Sequence, residues 1–299
     1  MIIIEIEQNT DAWLELRKNH IGASDCGILM GVSKWKVPDG RVKTPRILWE
    51  EKLGLFVDKT DNWATRHGKM MEDPMRKEYE KMIGQEAPAR TIKKSPDSYL
   101  IASLDGLTND RKRAVEIKNT NREYHEMAKN GVVPPVYYPQ LQQQLDVSGL
   151  DSIDYLSCHK GDMILIQVKP DKEYLKKLDK ARSDFWNCVL NLKDPELTED
   201  DYKKRDNIWI DKANELFDIQ EQLKILKKQE QDIKEELKQK SEGVNSIGGD
   251  YRFACYIRKG NVNYKSVPEL IDVDLEMYRS KPSEVWLLKR RIKTKIRRC

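Results

Sequence analysis

The chain has 299 residues, enough for one large domain or two smaller ones, with 38% hydrophobic and 35% charged residues and a formal net charge of +4. It has no run of ~18 apolar residues, which excludes a transmembrane helix. The apolar start MIIIEIE is too short and too soon interrupted by acids for a signal peptide, so a cytosolic location is expected. Five scattered cysteines without a CxxC pair argue against a disulfide framework and against a zinc or iron–sulfur site.

In chain order, IIIEIE (2–7) reads as a short first strand. TDAWLELRKN (10–19) reads as a helix capped by Thr10, and GASDCGILMGVS (22–33) as a short helix beginning near Ser24. TPRILWEEKLG (44–54) is a further helix, with Pro45 in its first turn and Gly54 at its end. Residues 61–85 form a longer helical pattern, in which Pro74 predicts a kink or break. TIKKS (91–95), SYLIASLDGL (98–107) and RAVEIKN (113–119) are β-like, separated by the turn signals SPD and TNDRKR. Two helices follow, NREYHEMAKNG (121–131) and VYYPQLQQQLDVSG (136–149). Strands DSIDYLSCH and DMILIQVKP come next, joined by a Lys-Gly turn, and a helix at 171–193 closes the pattern. An antiparallel set of strands flanked by helices fits an α/β domain of roughly 195 residues.

Residues 198–240 form a long, charge-rich helical region. Leu216, Leu223 and Leu237 fall at multiples of seven with Glu230 interrupting, and Ile219, Leu226 and Ile233 form a parallel row. A coiled-coil arm and a helix laid across a neighbouring surface both fit. SEGVNSIGGD (241–250) reads as a flexible link, then a β-hairpin around Gly260-Asn261 and a short helix at 268–280. Residues 284–296 fit a strand with one basic face or a basic helix. Residues 241–299 carry thirteen Lys/Arg against seven Asp/Glu, and seven of the last eleven residues are basic. That is a footprint suited to a polyanion, or a solvated tail.

In AVEIKN (114–119), strand alternation puts Glu116 and Lys118 on one face. A hairpin through TNDRKR would bring Asp105 beside Glu116. Two neighbouring carboxylates repel unless a cation sits between them, and a hard divalent ion satisfies both with oxygen ligands. The carbonyl of Ile117 can add another oxygen. Lys118 is then placed to orient or deprotonate an attacking water, or to steady phosphate charge. This is a layout for hydrolysing phosphodiesters. Taken alone, the same residues also fit a turn and a solvated strand face.

Four blocks in order change that weight: DAWLELRKNHIGASD (11–25), RHGKMMEDPMR (66–76), SLDGL with VEIKN (103–119) and YYPQLQQQLDVSG (137–149). Together they resemble the lambda-exonuclease-like, YqaJ-type viral recombinases, a branch of the PD-(D/E)xK nuclease superfamily. The resemblance covers about residues 1–195. It implies an α/β restriction-endonuclease-like core, a mixed central sheet flanked by helices, at 1–197. A long helical, coiled-coil-type segment at 198–242 and a small basic ββαβ-like α+β appendage at 243–299 would follow. Those last two have no counterpart in the compact lambda-type enzyme.

By the same resemblance, Asp105, Glu116 and the Ile117 carbonyl bind metal, with Glu72 as an additional acid, and Lys118 is the catalytic lysine. Gln140 lies near the metal and scissile phosphate, Gln144 shares its helical face, and Gln142 is structural. Tyr137 fits either a wall of the site or plain packing. Arg17 and Ser24 match the pocket for a DNA 5′-phosphate, and a guanidinium with a hydroxyl suits that ligand. The implied activity is a Mg²⁺-dependent 5′-to-3′ double-strand DNA exonuclease, with one or two ions and Mn²⁺ as a substitute. Implied too are 3′ overhangs for a single-strand annealing recombinase, a trimeric ring, no membrane, and the host cytoplasm for a phage-encoded chain. The rivals are another PD-(D/E)xK endonuclease and a non-catalytic DNA-binding or scaffold protein.

Overall fold

Strand β1 (Ile2–Ile4) leads into helix α1 (Asp11–Lys18), where the Trp13 N–H donates to the N-cap hydroxyl of Thr10. A 3-10 turn (Ala23–Asp25) runs into the single-turn α2 (Cys26–Leu29), and Thr44 caps α3 (Pro45–Lys52) with proline in its first turn. Helix α4 (Trp63–Ile83) precedes β2 (Arg90–Lys93), β3 (Ile101–Leu104), β4 (Gly106–Leu107) and β5 (Ala114–Asn119). Helices α5 (Arg122–Lys129) and α6 (Tyr138–Ser148) carry the chain to β6 (Ile153–His159) and β7 (Asp162–Val168). Then come α7 (Lys172–Leu190), α8 (Asn207–Lys240) and a hairpin of β8 (Ser246–Gly248) and β9 (Tyr251–Phe253). The structure is a computed structural model that describes residues 1–57, 63–203, 205–255 and 273, with backbone alone at 63–67 and 69. It divides into two units, Met1–Tyr202 and Lys203–Cys299. The hairpin expected at Gly260-Asn261, the helix at 268–280 and the basic segment 284–296 lie outside the described residues.

The first unit holds an antiparallel sheet, β1-β2-β3, and a mixed sheet, β4-β5-β6-β7. The strand pattern alone suggested an antiparallel set, but β5 and β6 run parallel, which gives the mixed sheet that the resemblance implied. Two helices intervene between them, and such a crossover returns the chain to the same end of the sheet. Between β6 and β7, by contrast, only Lys160 and Gly161 intervene, both at positive φ, and the pairing is antiparallel.

Strand β5 lies between two helices. Val115 and Ile117 pack on one face with Met75 and Tyr79 of α4. Ala114 joins the opposite core, with Leu141 and Leu145 of α6. Alternation therefore assigns Glu116 and Lys118 to the α6 side. Helix α6 is unusual in burying amides: Gln142, Gln143 and Gln144 are all 0% exposed. Each is hydrogen-bonded, as burial demands. Gln143 donates to the carbonyls of Ile21 (2.9 Å) and Ile101 (2.8 Å). Gln142 donates to the Lys169 carbonyl (3.0 Å) and accepts from the Asp171 N–H (2.8 Å), which fits the structural role expected for it.

Two further expectations need correction. Helix α4 runs unbroken through Pro74. The carbonyl that proline leaves without a donor belongs to Met70, which is exposed, so water can satisfy it. The segment expected as a flexible link holds β8 and the turn into β9, around Gly249-Asp250. Gly-Asp serves there as the hairpin turn.

Gly106 follows Asp105 for a packing reason rather than a turn. It pairs with Val115 inside β4, and a Cβ there would lie 2.8 Å from the Ala87 carbonyl oxygen and 2.8 Å from Val115 Cγ1. Gly106→Ala is expected to destabilise the first unit by about 1–3 kcal/mol, read as a lower midpoint in urea unfolding. An unchanged midpoint would mean that β4 yields freely.

Candidate active site

The register Gly106↔Val115 and Leu107↔Ala114 brings Asp105 level with Glu116. Asp105 Oδ2 accepts the Ile117 N–H at 2.7 Å, so its carboxylate lies against the strand segment between Glu116 and Lys118. Glu116 is 2% exposed. Gln140 Nε2 donates to its Oε1 at 2.6 Å, and Gln144 Nε2 donates to its Oε2. Glutamines four residues apart on α6 thus grip both oxygens of one carboxylate. Lys118 Nζ pairs with Glu116 Oε1 at 2.5 Å, and its side chain stays 26% exposed, open to a ligand. The ammonium lies 5.4 Å from the Tyr137 ring centroid.

Glu72, on α4, is half-buried and lies 3.8 Å from Arg76, whose Nη1 also donates to the Asp105 carbonyl at 3.0 Å. Arg76 thereby ties the α4 acid to the turn that bears Asp105. Burial raises the Glu72 carboxyl; Arg76 opposes this, and the negative charge of Glu116 adds to it.

Electrostatics single out Asp105. Burial and then the neighbouring Glu116 push its carboxyl well above the ordinary carboxylate range. Burial works to lower Lys118, but Glu116 and Asp105 outweigh it and hold the ammonium above its usual range. Lys118 is therefore a fixed cation here. The surroundings suit a hard divalent cation: the buried Glu116 and half-buried Asp105 carboxylates, the Ile117 carbonyl in the strand between Glu116 and Lys118, and the Gln144 Oε1, a buried oxygen without a hydrogen-bond partner. Among the described residues no three His, Cys, Asp or Glu side chains gather closely enough to hold an ion by themselves. Asp105 and Glu116 would share that work with backbone and water oxygens.

Arg17 and Ser24 also come together. Arg17 Nη2 donates to Ser24 Oγ at 3.0 Å and to Asp25 Oδ1 at 2.9 Å, with its guanidinium stacked 4.9 Å from the Trp13 ring. Two members of this cluster were not anticipated. Asp25 is buried and pairs with Lys52 at 2.7 Å, and Lys52 also donates to the Arg17 carbonyl. Burial works to raise the Asp25 carboxyl, but Lys52 and then Arg17 outweigh it and hold it below the ordinary range. Asp25 follows Ser24 directly and could have been weighed; nothing in the sequence around Lys52 marks it. The two clusters are joined through hydrogen bonds. Trp13 Nε1 donates to Ser103 Oγ at 3.2 Å, and the Ser103 carbonyl accepts from Gln144 at 2.9 Å.

His125, which carried no expected role, is buried between Ser157 (3.0 Å) and Asp162 (3.2 Å). His67 falls among the residues described by backbone alone.

Residues 12–151 match the YqaJ-like viral recombinase domain family. The uncharacterized protein YqaJ of Bacillus subtilis is 27% identical over 275 residues, covering 84% of each chain. The crystal structure of an alkaline exonuclease from Laribacter hongkongensis superposes with a TM-score of 0.51 at 22% identity, over 62% of this chain and 94% of that one. Its complex with dAMP gives the same values. The fold is thus the PD-(D/E)xK-like fold of that exonuclease.

A raised carboxylate pKa has a definite sign in stability. The folded state keeps the Asp105 proton where the unfolded chain has lost it, so this contribution is present below the ordinary value of 3.8 and is lost as pH rises through the folded value. Asp105→Asn keeps an acceptor for the Ile117 N–H and removes the charge. In chelator-treated protein it is expected to raise the melting temperature, by a margin that widens from about pH 4 upward. A margin that is flat or shrinks with pH would contradict the assignment.

Proposed function

We propose, from the match of residues 12–151 to the YqaJ-like viral recombinase domain family, that the protein is a divalent-metal-dependent deoxyribonuclease that resects double-stranded DNA ends. The observation that carries this is the buried Glu116 carboxylate, gripped by Gln140 and Gln144 and faced by Asp105 and Lys118. Asp105, Glu116 and the Ile117 carbonyl would hold the ion, Mg²⁺ with Mn²⁺ as a substitute, and Glu72 would complete the acidic rim. The ion, or a pair of them, supplies polarisation of the scissile phosphate and an attacking water of lowered pKa.

The chain's own residues do the rest. Lys118 stays an ammonium and offsets charge building on the phosphate during the displacement. Gln140 fixes one Glu116 oxygen and can present its amide to the same phosphate. Arg17, with Ser24 beside it, takes the 5′-terminal phosphate, while Asp25 and Lys52 hold the guanidinium in place. The bonds from Trp13 to Ser103 and from Ser103 to Gln144 keep that receptor in register with the catalytic carboxylate.

Binding the 5′-phosphate beside the cutting centre gives 5′-to-3′ removal of one strand. The 3′ overhang left behind is a substrate for a single-strand annealing recombinase. Residues 1–197 carry this chemistry, and 198–242 and 243–299 serve assembly and polyanion contact. No helix among the described residues is long and apolar enough to cross a membrane, and we place the enzyme in the cytoplasm, acting as a homo-oligomer.

With Mg²⁺ and end-labelled linear duplex, the wild type is expected to release nucleotides from 5′-phosphorylated ends and to leave a covalently closed circle intact. Lys118→Ala is expected to lower the rate by at least about a hundredfold. Equal rates in both proteins would remove Lys118 from catalysis, and cutting of the closed circle would replace the exonuclease with an endonuclease.

A further inference from the structure

Helix α8 runs for 34 residues, about 50 Å, and has no buried residue. Its N-cap Asp206 accepts the Trp209 N–H at 3.0 Å, so the first turn is well formed. Positions three and four apart trace one seam along it: Trp209, Lys212, Leu216 and Ile219, then Leu223, Leu226, Glu230 and Ile233. The six apolar members are each between 46 and 58% exposed. A seam of large apolar side chains with this spacing is what one helix of a coiled coil shows before it meets its partner.

The two charged interruptions say what that partner is. A second copy running parallel would stack Lys212 on Lys212 and Glu230 on Glu230, placing like charges inside an apolar seam. A second copy running antiparallel about residue 221 does the opposite. Lys212 then faces the partner's Glu230, and Glu230 faces the partner's Lys212. Trp209 meets the partner's Ile233, and Leu216 meets the partner's Leu226. Ile219 meets the partner's Leu223. Every layer is apolar on apolar or charge on opposite charge. Sliding the pair by one heptad sets Lys212 or Glu230 against an aliphatic side chain, so the two charges also lock the register. The residues flanking the seam add no like-charge contact: Gln220 and Gln222 each lie near their own copies at the dyad. A two-fold contact of this kind closes on itself.

We propose that α8 is a dimerisation element, pairing two copies of this chain antiparallel along residues 209–233, with Lys212 and Glu230 as reciprocal register pins. The contact goes beyond the proposed function and does not rest on it. The test is sedimentation equilibrium on the full chain, as wild type, Lys212→Glu, Glu230→Lys and the double swap. The wild type is expected to assemble with an even number of subunits. Either single swap makes both charged layers repulsive and should raise the dimer dissociation constant at least about tenfold. The double swap restores opposite charges in both layers and should return the constant to within about threefold of wild type. In a parallel pair the double swap leaves every charged layer repulsive and rescues nothing. A monomeric or trimeric wild type, single swaps without effect, or a double swap as weak as the singles would each overturn the proposal.

Discussion

The site depends on a single buried carboxylate. Taking Glu116 out of water costs several kcal/mol unless donors replace the lost hydration. Here they come from two helical amides and one ammonium. Those donors dictate the architecture. Helix α6 must lie across the sheet with Gln140 and Gln144 over β5, and its other faces must then be anchored as well. Gln143 anchors one side to the Ile21 and Ile101 carbonyls, and Gln142 anchors another to the start of α7. A helix so rich in buried amides would be a poor core element on hydrophobicity alone. It is stable because nearly every one of those amide groups has a partner.

The same helix transmits position. From Glu116 the bonds run through Gln144 to the Ser103 carbonyl, and from the Ser103 hydroxyl to Trp13, on whose ring Arg17 stacks. Arg17 and Lys52 share the buried charge of Asp25, which leaves a compact receptor with one exposed hydroxyl, Ser24. In the proposed reaction this matters because a 5′-phosphate and a scissile phosphate must be gripped at a fixed separation. Small misplacements of a reacting group are costly in rate.

Much of the site was legible because it depends on parity and spacing. Strand alternation gave Glu116 and Lys118 one face, hairpin register set Asp105 beside Glu116, and a four-residue step on a helix aligned Gln140 with Gln144. What escaped depends on distant contacts. Gln143 acts on carbonyls 122 and 42 residues away, and Lys52 reaches Asp25 from a different helix. The parallel pairing of β5 with β6 and the unbroken helix at Pro74 are also tertiary outcomes, decided by the crossover and by solvent on the proline's face. The seam of α8 was visible as a heptad pattern, but its partner emerges only when the two charged layers are placed across from one another.

The central claim is that Asp105 and Glu116 form a cation site whose repulsion is relieved by binding. Calorimetric titration of Mn²⁺ into chelator-treated protein tests it most directly. Wild type is expected to bind with proton release, because Asp105 must ionise to ligate, and Asp105→Asn is expected to lose both the binding and the proton release. Equal Mn²⁺ binding by the two proteins would contradict the account.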